Sequence, residues 1–169
     1  LLHRGVFAPE VAAARRARLR LLQQVSGQPL GVDGHNVLIT LECALRGLPL
    51  IAADDGFIRD VGQVSRAFKP SAETGRVLLA LGEFLVRQRA GPLRVFFDAP
   101  LSLSGELARQ TQELWAARGL EIEAAAVPVP ERDLLALSAP VCTSDTGLID
   151  RAPSVVDLAG EVIREEPAW

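Results

Sequence analysis

The sequence predicts a three-layer α/β fold built around a mainly parallel sheet, and three observations support this prediction. Short apolar runs, typical of buried strands, alternate along the chain with longer amphipathic segments that are typical of helices. Several apolar runs are followed by aspartate. Strands of an open parallel sheet end in this way at the crevice where the sheet binds its ligands. The chain has 169 residues, 49% of them hydrophobic, which suffices for one domain with a full core.

The first 28 residues are predicted to form a basic helical arm ahead of the α/β domain, which we place at residues 29–169. The spacing of apolar and arginine positions predicts a helix over residues 9–24, begun by Pro9 and ended by Ser26-Gly27. Residues 1–30 carry five arginines against one glutamate. Such an arm is compatible with a phosphate-binding surface, although a solvated helix face explains the arginines more simply.

The next elements are a strand, a helix and a second strand. Residues 30–33 form an apolar run that ends in Asp33, and the spacing of Val37, Leu38, Leu41 and Leu45 then predicts a helix to Arg46. Residues 48–53 predict a second strand of the same sheet, again followed by aspartates. Residues 57–71 have no clean period and are predicted to be a loop with one helical turn.

The second half of the chain repeats the alternation of helices and strands. Residues 72–89 show the strongest helical period, and Gly91-Pro92 interrupts it. Further helical segments are predicted at residues 103–118, 130–138 and 146–150, and strands at residues 93–97, 120–127, 139–143 and 154–158, before a weak tail at residues 159–166. The implied connections are right-handed crossovers between parallel strands.

Several classes of protein are excluded or disfavoured by the sequence. No apolar stretch is long enough to span a bilayer, and no secretory signal pattern opens the chain. The two cysteines, Cys43 and Cys142, fall in predicted elements and are expected to be core residues in a reducing cytoplasm. Glycine-rich nucleotide loops, Gly-x-Ser-x-Gly elbows and Cys/His zinc spacings are absent.

Aspartates that follow separate strands predict a metal site. Asp33, Asp98 and Asp145 each come after a predicted strand, and the carboxyl ends of parallel strands share one sheet edge. Clustered carboxylates raise one another's pKa, and bound Mg²⁺ or Mn²⁺ relieves that cost. Each aspartate alone could simply cap a helix or make a turn, and Asp54 and Asp55 before Gly56 have the same alternative.

Two motifs resemble those of the PIN-like and NYN nucleases. Asp33-Gly34-His35-Asn36-Val37-Leu38 resembles their first-strand motif, in which asparagine follows aspartate by three residues, and Thr143-Ser144-Asp145 resembles their late Thr/Ser-rich aspartate motif. The resemblance implies a PIN-like, Rossmann-like fold in which Asp33, Asp98 and Asp145 ligate metal. It also implies that Asn36 orients the first aspartate or the substrate, and Asp150 lies where some members place a further acid.

The whole chain more narrowly resembles a prokaryotic family known only as a domain of unknown function. The segments at residues 54–60 and 98–105 look like signatures of that family and are not standard PIN features. PIN enzymes usually carry a glutamate on an early helix, and Glu42 is the nearest candidate here.

Other polar residues are candidates for binding substrate. Ser102 and Ser104 open a predicted helix, where hydroxyls and free N–H groups can hold a phosphate or simply cap the helix. Arg59 and Arg66 could contact a phosphate backbone or pair with the neighbouring acids. His35 could transfer protons or pack at a helix start.

These patterns lead to three functional hypotheses. The first is a ribonuclease that uses Mg²⁺ or Mn²⁺, held by Asp33, Asp98 and Asp145 with Asp54, Asp55 or Asp150 as auxiliary ligands, to hydrolyse phosphodiesters. The second is a non-catalytic PIN-like module that binds RNA or a protein, and the third is a metal-dependent phosphatase. We expect no membrane partner, and a homodimer is left open.

Overall fold

Helices and strands alternate in the computed structural model, which describes residues 2–61 and 68–165. The helices are α1 (Leu2–Gly5), α2 (Pro9–Arg18), α3 (Gly34–Leu45), α4 (Ala72–Arg87), α5 (Ser104–Ala116), α6 (Pro130–Ala136), α7 (Thr146–Arg151) and α8 (Leu158–Glu165), with a 3-10 turn at Leu22–Val25.

The main sheet has six strands, and every pairing between them is parallel. Its strands are β1 (Leu19–Arg20), β2 (Leu30–Asp33), β5 (Leu93–Asp98), β6 (Ile122–Val127), β7 (Val141–Cys142) and β8 (Val155–Val156), and a separate pair consists of β3 (Leu50–Ala52) and β4 (Ile58–Asp60). The order across the main sheet is β1-β8-β7-β2-β5-β6. The predicted three-layer, Rossmann-like arrangement is confirmed.

Neighbouring residues on a strand of the main sheet pack into different hydrophobic clusters, one on each face of the sheet. On β7, Cys142 packs into the cluster formed by α3, α4, α5 and α8, whereas Val141 packs into the cluster formed by α6 and α7. On β8, Val156 packs into the first of these clusters and Val155 into the second. Side chains along a strand point to opposite faces, so each strand supplies both helical layers.

The N-terminal helix ends earlier than predicted, because the chain changes to extended structure at Leu19. Leu19 pairs with Val155 in parallel register, so this segment supplies one of the two edge strands of the main sheet. Leu22 and Val25 then bury in the core from the 3-10 turn. Their spacing fits a helix equally well, and the available strand edge decides the outcome.

The predicted second strand exists, but its place in the main sheet was wrong. β3 pairs antiparallel with β4, with Leu50 opposite Asp60, in a two-stranded ribbon of its own. Residues 58–60, predicted as loop, are therefore a strand, while residues 62–67 lie outside the described part of the chain. Asp54 and Asp55 consequently belong to the β3–β4 turn and not to the edge of the parallel sheet.

The tail after β8 forms a helix where only a weak tail was predicted. Leu158, Ala159 and Val162 of α8 are buried at helical spacing, and the carboxylate of Glu161 accepts the backbone N–H of Leu22 at 2.8 Å. Both cysteines are free and buried, as predicted. Nowhere in the described ranges does a helix combine the length and apolar character that crossing a membrane requires.

Candidate functional site

A cavity of about 420 Å³ opens at the carboxyl edge of the main sheet, where β2 lies between β7 and β5. The chain proceeds from β2 to one side of the sheet and later returns to the other side, so this is a topological switch point, the usual place for ligands. The charged residues that line the cavity are Arg4, Asp33, Arg59, Asp60, Asp98, Glu131 and Asp145.

Asp33 ends β2 and carries the most perturbed carboxyl group of the cavity. Burial raises its pKa to about 7, the hydrogen bond from Thr143 opposes the rise, and the negative charge of Asp145 adds to it. The Thr143 hydroxyl donates to Asp33 Oδ2 at 2.9 Å. Asp33 and Asp145 therefore interact electrostatically across the gap between the ends of β2 and β7.

The two motifs that the sequence singled out are interlocked by hydrogen bonds. The side-chain oxygen of Asn36 accepts the backbone N–H of Ser144 at 2.8 Å and the Ser144 hydroxyl at 3.1 Å. Thr143 Oγ1 accepts the backbone N–H of Asp145 at 3.1 Å while its hydroxyl donates to Asp33. Asn36 thus positions the loop that carries Asp145, a role for which the sequence offered only Asp33 or the substrate.

Asp145 and Asp98 differ in how their carboxyl oxygens are used. Asp145 caps α7, since its Oδ1 accepts the backbone N–H of Leu148 at 3.0 Å. Its Oδ2 accepts no hydrogen bond within the described ranges, so one oxygen stays available to a ligand. Asp98 ends β5, and within the described part of the chain only its backbone makes hydrogen bonds; its N–H donates to His35 Nδ1 at 3.0 Å.

His35 is buried between aromatic rings and supports the end of β5. Its ring centroid lies 5.4 Å from that of Phe68 and 5.2 Å from that of Phe97, both edge to face. Burial lowers the pKa of His35 to about 4, so the imidazole is neutral near pH 7. Nδ1 accepts a hydrogen bond, which places the proton on Nε2, and Nε2 has no partner among the described residues.

The proposed auxiliary acids lie away from the cavity, and two of them, Asp55 and Asp150, are paired with arginines. Asp55 is fully buried and receives both terminal nitrogens of Arg59 at 2.8 Å, with Arg15 Nη1 at 3.2 Å. Asp150 receives Arg15 Nε at 2.7 Å, and this hydrogen bond lowers its pKa. The side chain of Asp54 is exposed. Asp55 in the β3–β4 turn and Asp150 on α7 both bind Arg15 of α2, and none of the three acids lines the cavity, so we leave them out of the metal set.

Arg59 takes the second of its two predicted roles and pairs with an acid. Besides its two bonds to Asp55, its Nε donates to the backbone oxygen of Ser144 at 2.7 Å, and Nη1 donates to that of Arg4 at 3.3 Å. Arg59 therefore supports the loop of Asp145, although it also lines the cavity. The other predicted arginine, Arg66, lies outside the described residues.

Neither serine of the proposed phosphate-binding helix start contributes to the cavity. Ser104 is buried, with its hydroxyl oxygen 2.6 Å from the carbonyl oxygens of both Asp98 and Leu101. Ser102 is exposed. A helix cap by either serine was wrong, because the N-cap position is Leu103, in left-handed conformation with φ 61°.

Glu42, the nearest match to the early-helix glutamate of PIN enzymes, lies in the core. Its carboxylate accepts a short hydrogen bond from the hydroxyl of Thr74 on α4, and burial raises its pKa. Glu42 does not line the cavity.

Sequence reasoning missed three charged residues of the cavity: Arg4, Asp60 and Glu131. Glu131 follows β6 by a few residues, so the strand-end rule that selected the aspartates could have found it. Nothing in the local sequence indicates Arg4, which reaches the cavity because the β3–β4 ribbon holds α1. Asp54 donates its backbone N–H to the carbonyl of Gly5 at 2.9 Å.

The residues present fit a small magnesium site better than a preformed cage. Across residues 2–61 and 68–165, no three or more His, Cys, Asp or Glu side chains are grouped so as to hold a metal ion. Mg²⁺, however, usually binds through one or two carboxylates and completes its shell with water and substrate oxygens. Asp33 and Asp145 would be the pair of hard oxygen ligands for such an ion, with Asp98 on the neighbouring strand.

Comparisons with known proteins identify relatives without an assigned activity. A family model described as "Domain of unknown function (DUF5616)" matches residues 22–161. The chain is also 30% identical over 156 residues to "Uncharacterized protein MJ0935" of Methanocaldococcus jannaschii, an alignment that covers 91% of this chain and 74% of that protein. No solved structure matches the chain.

Proposed function

Because this chain belongs to the family described as a domain of unknown function (DUF5616), we propose its activity from the cavity itself: hydrolysis of RNA phosphodiesters, of PIN-like type, with Mg²⁺ or Mn²⁺. One observation carries the proposal. Asp33 and Asp145 interact at the ends of adjacent parallel strands, and the pKa of Asp33 is raised to about 7. A carboxylate that is removed from water beside a second negative charge is costly to ionise unless a cation neutralises the pair.

The residues at the ends of β2, β5 and β7 have defined parts in this proposal. Asp33 and Asp145 hold the cation, Thr143 orients the carboxylate of Asp33, and Asn36 holds the backbone that presents Asp145. Asp98, supported through its backbone by His35, lies beside the phosphate. A bound divalent cation supplies charge neutralisation and an activated water for hydrolysis.

RNA is proposed as the substrate because of the resemblance of the two motifs to those of PIN-like nucleases. Aromatic residues are only 5% of the chain, which favours recognition of the sugar-phosphate backbone over stacking of bases.

A second candidate, a non-catalytic PIN-like binding module, is favoured by one specific observation. Glu42, the nearest candidate for the early-helix glutamate of PIN enzymes, is hydrogen-bonded to Thr74 in the core. Such a module would bind RNA at the same edge without cutting it.

The test is cleavage of end-labelled single-stranded RNA by the purified chain in Mn²⁺ and in EDTA. We expect Mn²⁺-dependent cleavage that falls by at least about a hundredfold in Asp33→Asn and in Asp145→Asn, because even residues that only support ligands cost 10–100-fold. Asp54→Asn is the matched control, since its exposed carboxylate lies outside the cavity, and it should cleave as the wild type does.

Each alternative outcome has a distinct meaning. Cleavage that survives both Asp33→Asn and Asp145→Asn would come from a contaminant and would defeat the proposal. RNA binding without cleavage by the wild type would support the binding module instead.

A further inference from the structure

Arg4 is held in place at the cavity through both its backbone and its side chain. Its carbonyl oxygen accepts Arg59 Nη1 at 3.3 Å, and its own Nη1 donates to the backbone oxygen of Asp60 at 3.0 Å and to the Asp60 carboxylate at 3.3 Å. Arg59 is itself held by the fully buried Asp55. The guanidinium of Arg4 is therefore positioned by a chain of contacts that reaches the core.

These contacts use only the Nη1 nitrogen of the Arg4 guanidinium. Within the described part of the chain, Nε and Nη2 make no hydrogen bond, while the side chain keeps 33% of its surface exposed and lines the cavity. An arginine edge with two parallel N–H groups matches a pair of phosphate oxygens.

The other arginine of the cavity is not equivalent. Arg59 commits its Nε to Ser144 and its terminal nitrogens to Asp55 and to the backbone of Arg4. Apart from these two arginines, the charged side chains that line the cavity are carboxylates, which repel a phosphate. Among the described residues, Arg4 is therefore the charged hydrogen-bond donor of the cavity that keeps N–H groups free for a phosphate.

We propose that Arg4 is the phosphate-binding residue of this cavity, with Nε and Nη2 donating to two non-bridging oxygens of one phosphate group. The nature of the phosphate as part of an RNA strand rests on the proposed function, whereas phosphate binding by Arg4 does not require hydrolysis. Asp60 acts as a positioning residue, because it fixes the guanidinium through Nη1.

The experiment measures binding of a labelled eight-nucleotide single-stranded RNA by fluorescence anisotropy in Mg²⁺, in the Asp33→Asn background to suppress cleavage. We expect Arg4→Ala to weaken binding about tenfold or more, because charged hydrogen bonds are lost. The slope of log K against log salt should fall in magnitude by about 0.7, the value for one phosphate contact on a single strand. A purely structural role would not change that slope.

Arg94→Ala is the matched control. Arg94 is also an exposed arginine paired with a carboxylate, Glu123, but it lies near the amino end of β5, at the opposite edge of the sheet. Its removal should leave both affinity and salt slope unchanged. Arg4→Gln replaces Arg4→Ala in the assay if Arg4→Ala melts below the assay temperature. Glutamine keeps an N–H donor for Asp60 but lacks the positive charge and the Nε–Nη2 pair.

The outcomes separate this inference from the proposed function. An unchanged salt slope in the folded Arg4 variant overturns phosphate binding by Arg4, even if cleavage depends on Asp33. A reduced slope in a protein whose wild type never cleaves RNA sustains it and defeats hydrolysis.

Discussion

Asp33 is the residue at which the stability of the fold and the charge required by the proposed metal site conflict most directly. Burial raises the pKa of its carboxyl group to about 7 from the ordinary value of 3.8, although the Thr143 hydroxyl favours the ionised form. Between these two values the folded protein binds more protons at this position than the unfolded chain does. The free energy of unfolding therefore decreases as the pH rises from about 4 to about 7, and the penalty is complete above that range.

Asp33→Asn is accordingly expected to stabilise the protein when metal is removed and the pH is high. The gain at pH 8 has an upper bound of about 4 kcal/mol, from three pKa units, and should shrink toward zero near pH 4. Urea unfolding in EDTA at pH 4.5, 6 and 8 measures the difference, with Asp54→Asn as the control. A difference that does not depend on pH would show that Asp33 is not titrating in this range.

At the scale of elements, one largely buried network of ion pairs joins the β3–β4 turn, α2 and α7, which the main sheet does not connect. Asp55 in the β3–β4 turn pairs with Arg59 on β4 and with Arg15 on α2, and Arg15 continues to Asp150 on α7. The guanidinium groups of Arg15 and Arg59 also lie over the ring of Phe7, at 4.5 and 5.4 Å from its centroid. These contacts fasten the antiparallel ribbon and the N-terminal helix to the loop of Asp145.

Asp55→Asn is expected to lower the free energy of unfolding by about 3–5 kcal/mol, because it leaves the buried guanidinium of Arg59 without its carboxylate and removes one of the two carboxylates that bind Arg15. Glu106→Gln is the control, since Glu106 pairs with Arg109 on the exposed surface of α5 and should cause no measurable change. Urea unfolding near pH 7 compares the two. Equal stabilities of Asp55→Asn and the wild type would mean that the network contributes nothing net.

The sequence was informative wherever structure is local and failed where distant contacts decide. The helical period over residues 72–87 and the strand-end position of Asp98 depend on neighbouring residues, so both were predictable. The pairing of β3 with β4 was not, because a short antiparallel pair competes with a place in the main sheet on equal local terms.

The same difference between local and distant contacts separates the residues of the candidate site that were predicted from those that were missed. Asp33, Asp98 and Asp145 follow strands and were visible in the sequence, whereas Arg4 is held at the cavity by contacts with Arg59 and Asp60, more than 50 positions away. The pairing of Asp55 and Asp150 with Arg15 likewise involves separations of 40 and 135 residues, which no local pattern records.

At the scale of the whole molecule, the order of strands brings the acids together. β2 is central, with β7 on one side and β5 on the other, so the three strand ends converge from separate parts of the chain. Because this arrangement exists only in the folded state, a ligand of the cavity stabilises the entire molecule.

Mg²⁺ or Mn²⁺ is therefore expected to raise the melting temperature of the wild type. An ion present at 100 times its Kd contributes about 2.7 kcal/mol to the free energy of unfolding. Asp33→Asn and Asp145→Asn should lose most of this response, measured by calorimetry against Na⁺ at equal ionic strength. A wild-type Tm indifferent to millimolar divalent ions would count against the metal site.

The hydrogen bonds that interlock the two motifs also bear on how the protein is made. Thr143 contacts Asp33 across 110 positions and Ser144 contacts Asn36 across 108. A nascent chain that has not yet reached Thr143 still lacks both Asp145 and the hydroxyl that orients Asp33. The cavity is therefore completed only when nearly all of this sequence has left the ribosome, and the nuclease activity that we propose would be absent until then.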